Sequence, residues 1–64
     1  MSNFKERLKV EFDELHEKTK ALKSLINSNA INNIEEDQRH LLYIQLNLME
    51  GYRQCLNSRL QLLK

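Results

Sequence analysis

The sequence predicts an all-α fold, a two-helix antiparallel hairpin that assembles into a homo-oligomeric helical bundle. The 64 residues contain no proline and one glycine, so little in the chain interrupts a helix. One short stretch rich in Asn and Ser separates two long segments whose apolar residues recur at helical spacing. A chain of this length buries a small core, and its single cysteine excludes an internal disulfide, so self-association is the expected source of stability.

The first helix is predicted over about residues 3–27. Asn3 stands three positions before Glu6, which is the spacing of a capping box. Positions that alternate in steps of four and three form one apolar side, and Thr19 fills one of them. They are Leu8, Phe12, Leu15, Thr19, Leu22 and Ile26. Phe4 is also expected in the core, whereas the remaining positions are mostly charged and predict a face in contact with water.

The turn is predicted over residues 28–33 and the second helix over about residues 34–63, so residues 1–64 form one domain. Asn and Ser compete with helical backbone hydrogen bonds, which favours a turn between Asn27 and Asn33. Asn33 and Glu36 have the spacing of a second capping box. A short connection between two long helices makes them antiparallel neighbours.

The second helix has an apolar arc of about 200° at about 100° per residue, twice what one neighbouring helix covers. An inner cluster, expected to face the first helix, comprises Leu42, Leu46, Met49, Leu56, Leu60 and Leu63. An outer cluster, rotated around the helix, comprises Leu41, Ile44, Leu48, Tyr52, Cys55 and Leu62. Large exposed apolar patches mark interfaces, so the predicted oligomer contacts are Leu41, Ile44, Leu48, Cys55 and Leu62. The opposite strip of the helix, which includes Glu50, is expected to face water.

A polar row runs between the two clusters at a spacing of seven residues and consists of Gln38, Gln45, Tyr52 and Arg59. Polar groups that are partly desolvated need partners. In one interpretation these side chains set the register of an interface through hydrogen bonds. In the other they line a pocket in which Arg59 binds a phosphate or carboxylate and Tyr52 stacks on a ring. The ligand-binding candidates under the second interpretation are Gln45, Tyr52, Arg53 and Arg59.

Several function classes are not expected. A net charge of +1 argues against a DNA- or RNA-binding protein. No apolar run approaches the roughly 20 residues of a membrane span. His16, His40 and Cys55 do not have metal-ligand spacing, and no phosphate-binding loop or activated nucleophile is present. We therefore expect no cofactor, no metal, no membrane partner and no enzymatic activity.

Two segments carry a family resemblance. The first is Phe4-Lys5-Glu6-Arg7-Leu8-Lys9 followed by Glu11-Phe12 and Glu14-Leu15, and the second is Leu41-Leu42 with Gln45, Met49, Tyr52, Leu56 and Arg59. Together they resemble a family of very short phage and prophage proteins first noticed in crAss-like phages. The resemblance implies a phage-derived protein in the cytoplasm of a bacterial host, and it includes Gln45, Tyr52 and Arg59 of the polar row.

Three hypotheses for function follow. The chain is an anti-defence oligomer that sequesters a cyclic nucleotide or another anionic signalling nucleotide at subunit interfaces, by analogy with other phage helical hairpins. Alternatively, it is an inhibitor or adaptor that presents an apolar helix face to a host protein. The third hypothesis is a structural phage accessory protein. The sequence does not identify the ligand, the partner or the size of the oligomer.

Overall fold

The computed structural model describes residues 3–63 and shows two α-helices joined by a short 3₁₀ turn. Helix α1 spans Phe4–Ile26, the turn spans Asn29–Asn33, and helix α2 spans Glu36–Gln61. No strand occurs within residues 3–63. The predicted all-α fold with two helices is confirmed, and assembly into a homo-oligomer stays a prediction.

Helix α1 begins with the predicted capping box. The side chain of Asn3 accepts a hydrogen bond of 2.8 Å from the backbone N–H of Glu6. The backbone N–H of Asn3 donates in return to Glu6 Oε2 at 3.4 Å. Two backbone donors that would otherwise lack partners are therefore satisfied at the first turn.

The core lies along one side of each helix, as the apolar spacing predicts. Helix α1 contributes four buried residues, which are Leu8, Leu15, Thr19 and Leu22. From α2, Leu56 is fully buried, and Met49 and Leu60 pack around it. Thr19 donates its hydroxyl to the carbonyl oxygen of Leu15 at 2.8 Å, so the one buried polar side chain of residues 3–63 has a partner.

The connection between the helices differs from its prediction at one point. Ile31 is buried, and its side chain anchors the 3₁₀ turn against α1. Asn33 belongs to that turn, and the chain is extended at Ile34 before Glu35 becomes the N-cap of α2 without a side-chain hydrogen bond. The predicted cap at Asn33 is therefore wrong, because burial of Ile31 places Asn33 before the start of the helix.

The hairpin is thin in cross-section. Its principal extents are 43 × 19 × 15 Å, and a single helix with side chains is already about 10–12 Å wide. Two helices side by side enclose no interior, so a small ligand has to bind at the surface or between chains. Neither helix, within residues 3–63, has an apolar stretch long enough to cross a membrane.

Candidate functional site

The outer cluster of α2 is exposed in the hairpin. Leu48 is 70% exposed and Leu62 is 84% exposed, and Leu41, Ile44 and Cys55 are also exposed. Helix α1 covers the inner cluster except for Leu63, which is 38% exposed, so the expectation that Leu63 faces α1 is wrong. The outer cluster stays uncovered, because the two clusters point about 110° apart at about 100° per residue. One whole side of α2 is thus apolar and without a neighbour within the described chain, as expected for an interface.

Gly51 lies on that same side of α2. A side-chain atom built at Gly51 would have no neighbour within 4 Å. Packing within the hairpin therefore does not require glycine here, although glycine in the middle of a helix costs about 1 kcal/mol relative to alanine. Close approach by another chain is a physical reason for glycine at this position.

The polar row is exposed rather than partly desolvated. Gln38, Gln45, Tyr52 and Arg59 belong to this row, and Tyr52 is 47% exposed. Gln45 and Arg59 are exposed as well, and the amide of Gln45 points to Met49 Sδ at 3.8 Å. In one chain α1 packs on the neighbouring face and leaves the row at its edge, so the desolvation expected between chains stays a prediction.

The row is also too long to form one pocket in a single chain. Residues seven apart on a helix are separated by about 10 Å along its axis, so Gln45 and Arg59 lie about 21 Å apart. Tyr52 stands midway between them. A small ligand can contact one of these side chains together with residues of another helix or another chain, but it cannot contact all three on α2.

Arg59 instead forms a site with the first turns of α1. Its guanidinium carbon lies 5.6 Å from the ring centroid of Phe4, which is a cation–π contact. Arg7 and Glu11 complete the lining of a depression of about 310 Å³, with Leu8 at its base. Phe4 is 54% exposed, so the expectation that Phe4 belongs to the core is wrong, and its ring is available for stacking.

The electrostatics of this depression favour an anion. The lining of the depression carries two positive charges, on Arg7 and Arg59, and one negative charge, on Glu11. The depression also lies at the N-terminal end of α1, where the helix dipole is positive. Sequence periodicity did not identify Phe4, Arg7 and Glu11 as site residues, because they lie on α1 and reach Arg59 only through packing of the two helices.

Arg53 lies outside the depression that contains Arg59. Its guanidinium lies 2.8 Å from Glu50 Oε2, and Lys23 Nζ of α1 lies 2.9 Å from Glu50 Oε1. Glu50 was expected to face water, but its carboxylate is half-buried between these two cations. The Lys23–Glu50 pair joins the two helices, Arg53 pairs with Glu50 within α2, and a ligand-binding role for Arg53 stays a prediction.

This ion-pair cluster predicts a pH dependence of stability. Hydrogen bonding to Lys23 and then to Arg53 holds the pKa of the Glu50 carboxyl below its usual range. A carboxyl whose pKa is lower in the folded chain contributes stability above its unfolded pKa and loses that contribution as pH falls through the folded value. We expect Glu50→Gln to reduce the loss of thermal stability between about pH 7 and about pH 3, measured by circular dichroism melts.

Glu14→Gln is the matched control, because Glu14 is exposed and forms no ion pair among residues 3–63. This variant should keep the pH dependence of the parent chain. Equal pH dependence in all three proteins would show that the Glu50 cluster contributes nothing to it.

A second depression, of about 260 Å³, lies near the start of α2 and is lined by Glu36, Arg39, His40 and Tyr43. These residues stand at helical spacing on one face of the first turns. The Nε atom of Arg39 is buried and has no hydrogen-bond partner within residues 3–63. This depression has one arginine beside one carboxylate, whereas the Arg59 depression has two arginines beside one carboxylate and therefore suits an anion better.

Comparison with known protein families gave a match over nearly the whole chain. A family model described as Sequestin matches residues 2–62. No curated protein and no solved structure matches the chain.

Proposed function

Since the chain belongs to the Sequestin family, we propose that it is a non-enzymatic anti-defence oligomer that sequesters an anionic signalling nucleotide in a bacterial cytoplasm. The family name refers to sequestration, which is a binding function without chemical conversion. The resemblance to short phage proteins supports the cellular setting. The side chains that the fold brings together support the proposed ligand class.

The observation that carries this proposal is the placement of Arg59 over Phe4 with Arg7 in the same depression. An arginine binds a phosphate with a planar set of N–H donors, and an exposed ring can stack on a base. A cation and an aromatic face side by side match the two halves of a nucleotide. Arg59 is thus the proposed phosphate ligand, and Phe4 is the proposed stacking platform.

Sequestration at subunit interfaces also accounts for the exposed polar row. Gln45 lies beside the exposed outer cluster and Tyr52 belongs to it, so a second chain on that cluster would cover both side chains. They would then be available to hydrogen-bond or stack on a ligand that is enclosed between chains. One hairpin alone is too thin to enclose a nucleotide.

The test is a thermal-shift measurement with cyclic AMP, cyclic GMP and cyclic di-GMP, using adenosine and inorganic phosphate as matched probes. Ligand that binds only the folded state stabilises it by about 2.7 kcal/mol at about 100 times Kd. We expect a rise of several degrees in Tm with at least one cyclic nucleotide. Adenosine and phosphate, which each supply half of the contacts, should give smaller rises.

Arg59→Ala and Arg7→Ala should each lower affinity by about 10- to 100-fold, since a hydrogen bond to a charged group contributes about 1.5–3 kcal/mol. Lys20→Ala removes an exposed charge from α1 outside the depression and is the control. Light scattering on each variant shows whether assembly is intact. No thermal shift with any cyclic nucleotide, or equal shifts in all variants, would contradict the proposed site.

The exposed outer cluster also supports the second hypothesis, an inhibitor or adaptor that presents this face to a host protein. The two functions differ in quaternary structure. A ligand-sequestering oligomer has a discrete mass of several chains, whereas an adaptor is a monomer until its host protein is present. Light scattering during gel filtration of the chain alone distinguishes them: a discrete oligomer of three or more chains favours sequestration, a monomer excludes it, and an adaptor can also be a loose dimer.

A further inference from the structure

We propose that the occupant of the exposed side of α2 is the α2 helix of a second copy, packed antiparallel about a two-fold axis between Met49 and Glu50. The inference rests on the oligomer of the proposed function and specifies how two of its chains meet. Its evidence is the size, spacing and charge of the side chains along that side of α2.

The exposed side of α2 contains a seam with coiled-coil spacing. Its positions alternate in steps of three and four, which keeps them on one side of a supercoiled helix pair. The seam comprises Leu41, Ile44, Leu48, Gly51, Cys55 and Ser58, and every one of these residues is exposed in the hairpin. Between Leu41 and Ser58 the seam carries no charged side chain. The next position at the same spacing is Asp37, which falls at the end of the pair opposite Leu62 of the second copy.

The two halves of the seam differ in side-chain size. Its N-terminal half has three large apolar residues, Leu41, Ile44 and Leu48, and its C-terminal half has three small ones, Gly51, Cys55 and Ser58. A parallel pair would place the large side chains of the two copies against each other at one end of the seam. At the other end it would leave a gap between the small side chains. An antiparallel two-fold pair places Leu48 against Gly51 of the second copy, Ile44 against Cys55, and Leu41 against Ser58.

Packing one large residue against one small residue at every layer keeps the two helices at a constant separation, which dense packing requires. It also explains Gly51, whose open side has no neighbour within 4 Å in the hairpin. In the antiparallel pair this space receives Leu48 of the second copy. Because a two-fold interface is self-complementary, the same contact occurs twice.

The charges at the two ends of α2 favour the same orientation. The first turn of α2 is acidic, with Glu36 and Asp37, and the last turn carries Arg59. A parallel pair would set acidic turn beside acidic turn and Arg59 beside Arg59. The antiparallel pair sets each acidic turn beside the basic end of the other copy, where opposite charges attract.

The pairing completes the ligand site with residues of the second copy. The polar row lies on the flank of the seam, so Tyr52 comes alongside Gln45 of the second copy and Arg59 comes alongside Gln38. The guanidinium of Arg59 has five N–H donors, so a contact to Asp37 of the second copy leaves donors for a phosphate. The depression at Phe4 and Arg59 thereby gains a wall that one hairpin does not provide.

Disulfide formation between single-cysteine chains tests the orientation. In the antiparallel pair, Cys55 residues of the two copies lie about 16 Å apart along the axis, too far for a bond that needs Cα atoms within about 7 Å. A chain with Ile44→Cys and Cys55→Ser likewise cannot bond to a second copy of itself. When this chain is mixed with the parent chain, the cysteine introduced at position 44 faces Cys55 of the parent, and oxidised glutathione should give a covalent heterodimer.

The matched control is Asn57→Cys with Cys55→Ser, an exposed cysteine on another side of α2, which should not bond to the parent chain. A second pair, Leu41→Cys and Ser58→Cys, each with Cys55→Ser, repeats the test with different contacts. Circular dichroism of every variant is measured to check that the variant is folded.

A disulfide between Cys55 residues in the parent chain alone would overturn the antiparallel orientation. Absence of both heterodimers would overturn the pairing, whether the chain is a monomer or assembles through another face. The thermal-shift panel, run on the same samples, separates this inference from the proposed function. Nucleotide binding without heterodimers refutes only the pairing, and heterodimers without nucleotide binding refute only the ligand.

Discussion

Leu56→Ala is expected to leave most of the isolated chain unfolded at room temperature. Leu56 is fully buried at the centre of the core formed with Leu8 and Leu15. Truncation of a buried leucine to alanine costs about 2–5 kcal/mol, and a core in a chain of this size supplies roughly 3–5 kcal/mol in total. The loss is therefore comparable to the whole stability of the hairpin, and the helical circular dichroism signal should fall sharply.

Val10→Ala is the control for this prediction, because Val10 is 54% exposed on α1 and lies outside the core. A surface substitution of this kind changes stability by about 0.5 kcal/mol or less. Urea titrations of both variants measure the difference. If Leu56→Ala melts cooperatively at the temperature of the parent chain, the fold is not held by this core.

The sequence predicts both helices, the first cap and most of the core. The spacing of four and three along α1 selected six residues. Leu8, Leu15, Thr19 and Leu22 are buried, and Phe12 and Ile26 are partly buried. Asn3 and Glu6 form the predicted capping box because both partners lie within one helical turn. Such features depend on residues close together in sequence, where periodicity and local hydrogen bonding determine the outcome.

The features that sequence reasoning missed depend on contacts between elements. The half-burial of Glu50 requires Lys23 of α1 to lie beside α2. The position of Asn33 in the 3₁₀ turn follows from the burial of Ile31 against α1. Periodicity places residues on a face of their own helix, but it does not state which side chain of the other helix comes opposite them.

The candidate site shows the same limit. The spacing of seven placed Gln45, Tyr52 and Arg59 in one row, but a shared face does not bring side chains within reach of one ligand. Arg59 lies instead beside Phe4 and Arg7 of α1. A site made by one row of α2 thus needs another helix to complete it, and the hairpin supplies that helix at only one end of the row.

Gly51→Leu is expected to separate the two roles of α2, because the substitution has opposite effects on folding and on assembly. Within one hairpin the first atom of the new side chain meets nothing within 4 Å, and leucine is a better helix former than glycine by roughly 1 kcal/mol. The isolated hairpin should therefore be slightly more stable. Between two antiparallel copies, the leucine would occupy the space that Leu48 of the second copy fills.

Overpacking of this kind costs about 1–3 kcal/mol per site, and the two-fold axis repeats it. The dissociation constant of the pair should increase by a factor between about 30 and about 10⁴. Light scattering over a range of concentrations measures this increase. Asn57→Leu adds the same side chain at an exposed position away from the seam and should leave assembly unchanged. An unchanged oligomer mass in Gly51→Leu would mean that Leu48 of a second copy does not pack at Gly51, because two leucine side chains cannot occupy the same space.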